Sequence, residues 1–134
     1  MKDFLLEIAA PDRLLLRQRV SQAQIPARSG EIGARPGHAA LLAELGAGVL
    51  SYFSDGRRSQ LSVNGGLVEI TPDNVRVLAH SAEPADEIDS RRAQEALRRA
   101  SERLARPGPD IDIARALNAM RRAQARLQAA RKLS

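Results

Sequence analysis

The sequence predicts an α+β chain in two parts: an N-terminal β-sandwich or barrel over residues 1–85, then a C-terminal antiparallel helical hairpin over 86–134. Three observations predict it. Short apolar runs, broken by turn residues at roughly 8–12-residue spacing, fill the first part. The apolar period turns helical after Ala85. A Pro-Gly-Pro stop at 107–109 then divides the helical part in two.

Phe4 to Ala9 is a strand stopped by Pro11-Asp12, and Leu14-Leu15-Leu16 follows as a second short run. Val20 to Ile25 alternates apolar and polar residues, as a strand with one buried face does. Leu41 to Leu50 carries glycines at 46 and 48, too many for a helix interior. Val49 to Phe53 ends at the turn signal Asp55-Gly56, and Gln60 to Val63 ends at Asn64-Gly65-Gly66, which also reads as a turn. Leu67 to Ile70 and Val75 to Leu78 flank Thr71-Pro72-Asp73-Asn74, a hairpin with turn chemistry at its centre. A sandwich this small is marginal by surface-to-volume scaling and gains from packing against a partner.

In Asp86–Ala105 the residues Ala93, Ala96, Leu97, Ala100 and Leu104 form one narrow helical stripe, with Asp86 or Asp89 as cap. Asp110 or Asp112 caps a second helix whose stripe is Ile113, Leu117, Met120, Ala123 or Gln124, Leu127 and Ala130. A short link between the two makes an αα-hairpin. Its seam is mostly alanine and leucine. At ~25 cal/mol per Å² buried, such a seam barely offsets ordering at ~1–2 kcal/mol per residue. The hairpin is therefore expected to be conditionally stable, folded on a partner or ligand and otherwise free to move.

Charge is divided as sharply as periodicity. Residues 1–85 hold nine Lys/Arg and nine Asp/Glu, whereas 86–134 hold twelve against seven, so the whole net charge of +5 lies in the helical part. Eleven of those twelve bases are arginine, and no aromatic accompanies them, so a base-stacking nucleic-acid platform is disfavoured. No apolar run approaches the ~20 residues needed to cross a bilayer. Acids inside the first apolar run argue against a secretory signal, and composition points to a soluble intracellular protein. With no cysteine there is no disulfide, thiolate chemistry or cysteine-ligated metal. His38 and His80 lie far apart in sequence without a ligand cluster, so no metal site is expected.

The order of motifs resembles one family. Ser29-Gly30-Glu31-Ile32-Gly33-Ala34-Arg35-Pro36-Gly37-His38 resembles the Gly-Glu-hydrophobic-Gly…Pro-Gly-His signature of the epsilon subunit of bacterial F-type ATP synthases. Gly65-Gly66-Leu67-Val68-Glu69-Ile70 with Pro72-Asp73-Asn74-Val75 is similar to that family's second signature. Ala82-Glu83 and Ile88-Asp89-Ser90-Arg91-Arg92-Ala93 match the start of its C-terminal hairpin. The chain departs at Ala34-Arg35, where two apolar residues are usual, and at Leu67, where an aromatic is common.

The resemblance implies a non-catalytic rotor subunit of the central stalk of a proton-translocating complex, peripheral on the cytoplasmic face of the bacterial plasma membrane. Its expected partners are the gamma subunit, the ring of c subunits and, with the helices extended, the alpha/beta hexamer, where the hairpin restrains ATP hydrolysis. Glu31, His38, Arg115 and Arg121 are the expected partner contacts. Met1, with no transit-like segment after it, argues against an imported organelle form. No cofactor is required, but some family members bind ATP as a regulatory ligand through the pattern Ile88-Asp89-x-x-Arg92-Ala93. The matching residues here are Glu83, Ile88, Asp89, Arg92, Ala93, Arg99, Arg122 and Arg126. Asp89 would accept from the adenine amino group, Ile88 would pack on the ring, and Ala93 would leave it room.

The arginines alone support this only in part. Arg92, Arg99 and Arg103 share one helical row, and Arg115, Arg122 and Arg126 share another. In an antiparallel hairpin Arg92 and Arg99 are expected at the heights of Arg122 and Arg115, a cluster suited to phosphate. The plainer reading is a solvated face laced by the i,i+4 pairs Arg91–Glu95, Glu95–Arg99 and Arg98–Glu102, each worth ~0.2–0.5 kcal/mol. His38 reads as a loop histidine bonded to a carbonyl, and Gly30-x-x-Gly33 as turn glycines rather than an RNA-clamping loop. The alternative function is nucleic-acid binding by the arginine hairpin. An enzyme has no convergent acid, base and nucleophile to support it.

Overall fold

Strict alternation buries Phe4, Leu6 and Ile8 on one side of the first strand, and the same rule carries through the sheet. The computed structural model describes residues 3–106 and 108–130. Its strands are β1 (Phe4–Ala10), β2 (Arg13–Val20), β3 (Gln22–Ala27), β4 (Gly30–Ala34), β5 (Leu41–Ser54), β6 (Arg57–Ile70) and β7 (Asn74–Pro84). A 3-10 turn at Ala85–Glu87 leads to α1 (Ser90–Ala105) and α2 (Ile113–Ala130). The strands form one hydrogen-bonded order, β2-β1-β7-β6-β5-β3-β4, antiparallel except for β1 beside β7. The sheet folds back on itself: Gln18 and Arg19 at the end of β2 bond Ser54 at the end of β5.

The core belongs to the strands alone. Phe4, Leu6, Ile8, Ile25, Leu45, Leu50, Leu61 and Ile70 are its largest members, and no helix residue joins the cluster. The Thr71–Asn74 turn is fastened by Thr71 N donating to Asn74 O at 2.8 Å and Asn74 N donating to Thr71 Oγ1 at 3.2 Å. Asp55-Gly56 turns β5 into β6 with φ positive at both residues, 53° and 74°.

Several expectations are corrected. Asn64-Gly65-Gly66 is not a turn, because β6 runs unbroken through it. The glycines are needed because φ is 68° and 128°, and a Cβ on Gly66 would collide with the Leu78 carbonyl oxygen of β7. Val20–Ile25 is two strands broken at Ser21, whose N–H donates to Phe53 O at 2.8 Å. The separate runs in 41–53 are one strand, β5, in which Gly48 leaves room for the Pro26 ring. Arg35 is exposed beside the fully buried Ala34.

Helix α1 begins four residues later than the stripe from Asp86 suggested. Asp89 is its cap, its Oδ1 accepting from Arg92 N at 3.1 Å, while Asp86 lies in the 3-10 turn. Asp112 caps α2, accepting from Arg115 N at 3.0 Å. In α1, Ala93 and Ala100 are buried as the stripe requires. In α2 the buried residues are Ala116, Ala123, Ala125 and Ala129, and Ile113 is 53% exposed. The second helix has two neighbours to satisfy, and a single stripe does not describe it. Met1, Lys2 and Pro107, which carry the readings of the start and of the helix stop, lie outside the described residues.

Candidate functional site

Helix α2 packs on α1 and on β5 and β6, whereas α1 packs chiefly on α2. The helix meets the sheet through side chains too small to bury much area, so polar contacts matter in fastening it. Arg126 Nε donates to Glu83 Oε1 at 2.7 Å, linking α2 to the end of β7. Gln60 Nε2 of β6 donates to Ala129 O at 3.2 Å. Arg13 of β2 pairs with Glu87 in the 3-10 turn at 3.2 Å.

The Arg126–Glu83 pair lies in a cleft of about 340 Å³, lined by Glu83, Glu87, Asp89, Arg92, Ala93 and Arg126. Five of the eight residues expected to bind a nucleotide therefore come together. Ala93 is buried at its wall. Asp89 spends Oδ1 on the α1 cap and keeps its second oxygen as an acceptor. Glu87 was not foreseen. Its signal was spacing alone, four residues after Glu83 and two before Asp89. Three carboxylates face two guanidinium groups here, so this cleft suits an amino-bearing ring better than a bare polyphosphate.

The other expected residues lie elsewhere. Ile88 is half-buried and outside the cleft lining. Arg99 lines a separate groove with Glu102, Arg103 and Ile111. Arg122 and Arg121 face a larger cleft between α2 and the sheet. The expected level of Arg92 with Arg122 is thus off by one turn, since Arg92 shares its cleft with Arg126. Glu31 is exposed on β4, paired across from Pro26. His38 Nδ1 lies 2.7 Å from Ala39 O, and Gly37 N donates to Pro72 O at 2.9 Å, which ties this loop to the 71–74 turn. Arg115 is exposed in the first turn of α2.

The helix surface is less laced than its spacing suggested. Arg98 takes both acids, Glu102 at 2.7 Å and Glu95 at 3.0 Å, so Glu95 pairs with neither Arg91 nor Arg99. Those hydrogen bonds, to Glu95 first, raise the Arg98 pKa further above its ordinary value. Among the described residues Arg91, Arg92, Arg99, Arg103, Arg115, Arg121 and Arg122 form no ion pair. Nor do any three acidic or histidine side chains gather to hold a metal among the described residues. No described helix is long and apolar enough to cross a membrane.

One apolar feature stands apart from the helices. Leu14, Ala9, Leu78 and Leu67 are direct cross-strand neighbours on the outer face of β2, β1, β7 and β6. The three leucines are 58%, 48% and 46% exposed. Leu42, 68% exposed, lies two residues from Glu44, which continues the row on β5.

Known proteins resemble the chain along its length. A family model described as the ATP synthase delta/epsilon chain beta-sandwich domain matches residues 3–85, and one described as the long alpha-helix domain of the same chain matches 86–131. The ATP synthase epsilon chain of Solibacter usitatus is 50% identical over 95 residues, which cover 71% of this chain and 71% of the relative. That of Carboxydothermus hydrogenoformans is 46% identical over 101 residues, covering 75% of each. A chain in the solved Euglena gracilis mitochondrial ATP synthase has the same fold, with a TM-score of 0.83 at 24% identity over 97% of this chain and 82% of that one.

Proposed function

The chain belongs to the family of epsilon chains of bacterial F-type ATP synthases, which are non-catalytic subunits, and from that premise we propose that it is a rotor subunit whose hairpin acts as a releasable brake on ATP hydrolysis. The sandwich is the anchored part. Its exposed Leu14–Leu78–Leu67 row has the width and apolar character of a surface that a gamma subunit covers. The end carrying Glu31 and His38, tied to the 71–74 turn, faces the ring of c subunits. The chain reaches the membrane only through that complex.

The observation that carries the brake is the way the hairpin rests on the sandwich. Alanines are the buried residues of α2, one ion pair and one side-chain hydrogen bond fasten it to the sheet among the described residues, and no helix residue belongs to the sandwich core. Release therefore exposes little apolar surface and frees a basic segment to be drawn to an acidic surface of the alpha/beta hexamer. ATP acts in the opposite sense. Its adenine amino group donates to the free oxygen of Asp89 above Ala93, Arg92 meets phosphate, and occupancy of a cleft built from both helices and β7 selects the docked state.

The test is the ATP hydrolysis rate of an alpha–beta–gamma complex given either the full chain or a chain ending at Ala85. Both should bind, and only the full chain should slow hydrolysis. Equal rates at equal occupancy would remove the brake. Calorimetric titration with ATP should show binding that Asp89→Ala and Arg92→Ala weaken. Identical affinity in both variants would remove the nucleotide cleft and leave the brake standing.

A further inference from the structure

The C-terminal end of α2 is tied to the sheet by a side chain. The last four carbonyls of a helix have no N–H of their own helix to accept from. One of them, Ala129 O, takes its donor from Gln60 Nε2 of β6 at 3.2 Å, and Ala129 itself is fully buried. The next residue, Ala130, lines a cleft of about 850 Å³. Leu15 and Leu16 of β2, Tyr52 of β5 and Leu61 of β6 give this cleft an apolar lining. Asp86 and Glu87 of the 3-10 turn give it two carboxylates, against one described guanidinium group, that of Arg58.

The described chain ends at this cleft. Arg131-Lys132-Leu133-Ser134 follow Ala130 directly. Three extended residues reach about 10 Å, so the chain itself keeps Leu133 close to the cleft wall. Leu133 is the apolar residue of the segment. Leu15, Leu16 and Tyr52 pack against the sandwich core and yet are only half-buried, so the lining keeps apolar surface in water. One leucine laid over them removes that surface from water. Charge agrees with this occupant. Arg131 and Lys132 arrive beside the 3-10 turn against which α2 packs. There Glu87 is shared with Arg13, while Asp86 is exposed and forms no ion pair among the described residues. Basic groups directly after a helix also complement the negative end of its dipole.

We propose that residues 131–134 occupy this cleft, with Leu133 seated among Leu15, Leu16 and Tyr52 and the basic pair against Asp86, so that the tail latches the end of α2 to the sandwich. The latch uses neither the Arg92 cleft nor any bound anion, and it needs neither the brake nor the adenine contact to be right. The hairpin leaves the sheet only when Leu133 is withdrawn, so the tail sets how often docking is lost.

Tyr52 is the only tyrosine of the chain, and there is no tryptophan, so its ring signals report on the cleft directly. The experiment compares those NMR signals and the amide exchange of α2 in the full chain, in Leu133→Ser and in Leu133→Met. Nuclear Overhauser contacts between the Leu133 methyls and the Tyr52 ring are expected in the full chain, independent of protein concentration. Leu133→Ser should shift the Tyr52 ring signals and speed exchange at 123–130 about tenfold, while amides of β1 and β6 hold their rates. Leu133→Met, which keeps the apolar volume, should leave both readings near those of the parent chain. Asp86→Asn should speed the same α2 amides about twofold. Contacts that appear only at high protein concentration would give the cleft to the tail of a second copy. A Tyr52 ring unmoved by Leu133→Ser would give it to a different occupant. Either result overturns the proposal.

Discussion

Glu83→Ala is the perturbation that most directly reads the fastening of the hairpin. The Arg126–Glu83 pair spans 2.7 Å, with side chains 39% and 36% exposed. Fully exposed pairs contribute ~0.2–1 kcal/mol, and breaking a buried one costs ~3–5 kcal/mol. Exposure slightly above a third places this pair near the top of the first range, about 1 kcal/mol after solvent screening. A change of that size raises the undocked fraction about fivefold. Native-state hydrogen exchange measures it: amides of 113–130 should exchange about fivefold faster, while those of β1 and β6 hold their rates. Glu83→Gln keeps an acceptor and should give about half the effect in free energy. Arg126→Ala added to Glu83→Ala should add little beyond its own packing, because the one acid and the one base act as a single pair. An unchanged helix, or equal acceleration in the core strands, would refute the idea that the hairpin leaves independently.

Other outcomes test other links. Gly66→Ala should destabilise the sandwich by about 2–4 kcal/mol, because a Cβ at φ 128° meets the Leu78 carbonyl; urea unfolding with an unchanged m-value checks it. Leu50→Ala, at a fully buried position, should cost about 2–5 kcal/mol in the same assay. Asp89→Ala should cost α1 about 1 kcal/mol through loss of its cap even without ATP, seen as faster amide exchange in 90–95. Leu78→Glu should leave the isolated fold intact, its side chain being exposed, and abolish co-purification with a gamma subunit.

Periodicity made much of this fold legible. The apolar run from Phe4 to Ala9 read as a strand and is one, and the turns at Asp55-Gly56 and Thr71–Asn74 follow from residues that tolerate them. Glycine misled where it served distance rather than direction. Gly65-Gly66 has turn composition, and only the approach of the β7 backbone shows why a strand contains it. Alanine misled in α2 for a related reason. Ala125 and Ala129 are too small to announce a second buried face, so the helix read as one stripe when it has two neighbours. Of the residues that the family resemblance singled out, Glu83, Asp89, Arg92, Ala93 and Arg126 meet in one cleft, whereas Glu87 beside them was not foreseen. The phase between two helices is not written in either row, and that phase sets Arg126 rather than Arg122 beside Arg92, with Arg122 one turn away in the neighbouring cleft.

The same phase gives α2 a division of labour. Its Arg126 level closes on Glu83, while Arg121 and Arg122 face a wider cleft and form no ion pair among the described residues. Larger side chains on its sheet-facing side would bury more area and hold the helix more firmly, against the release that the proposed brake requires. With so little apolar contact from an alanine face, a single partly exposed pair such as Arg126–Glu83, worth about 1 kcal/mol, is a sizeable share of what fastens the helix to the sheet.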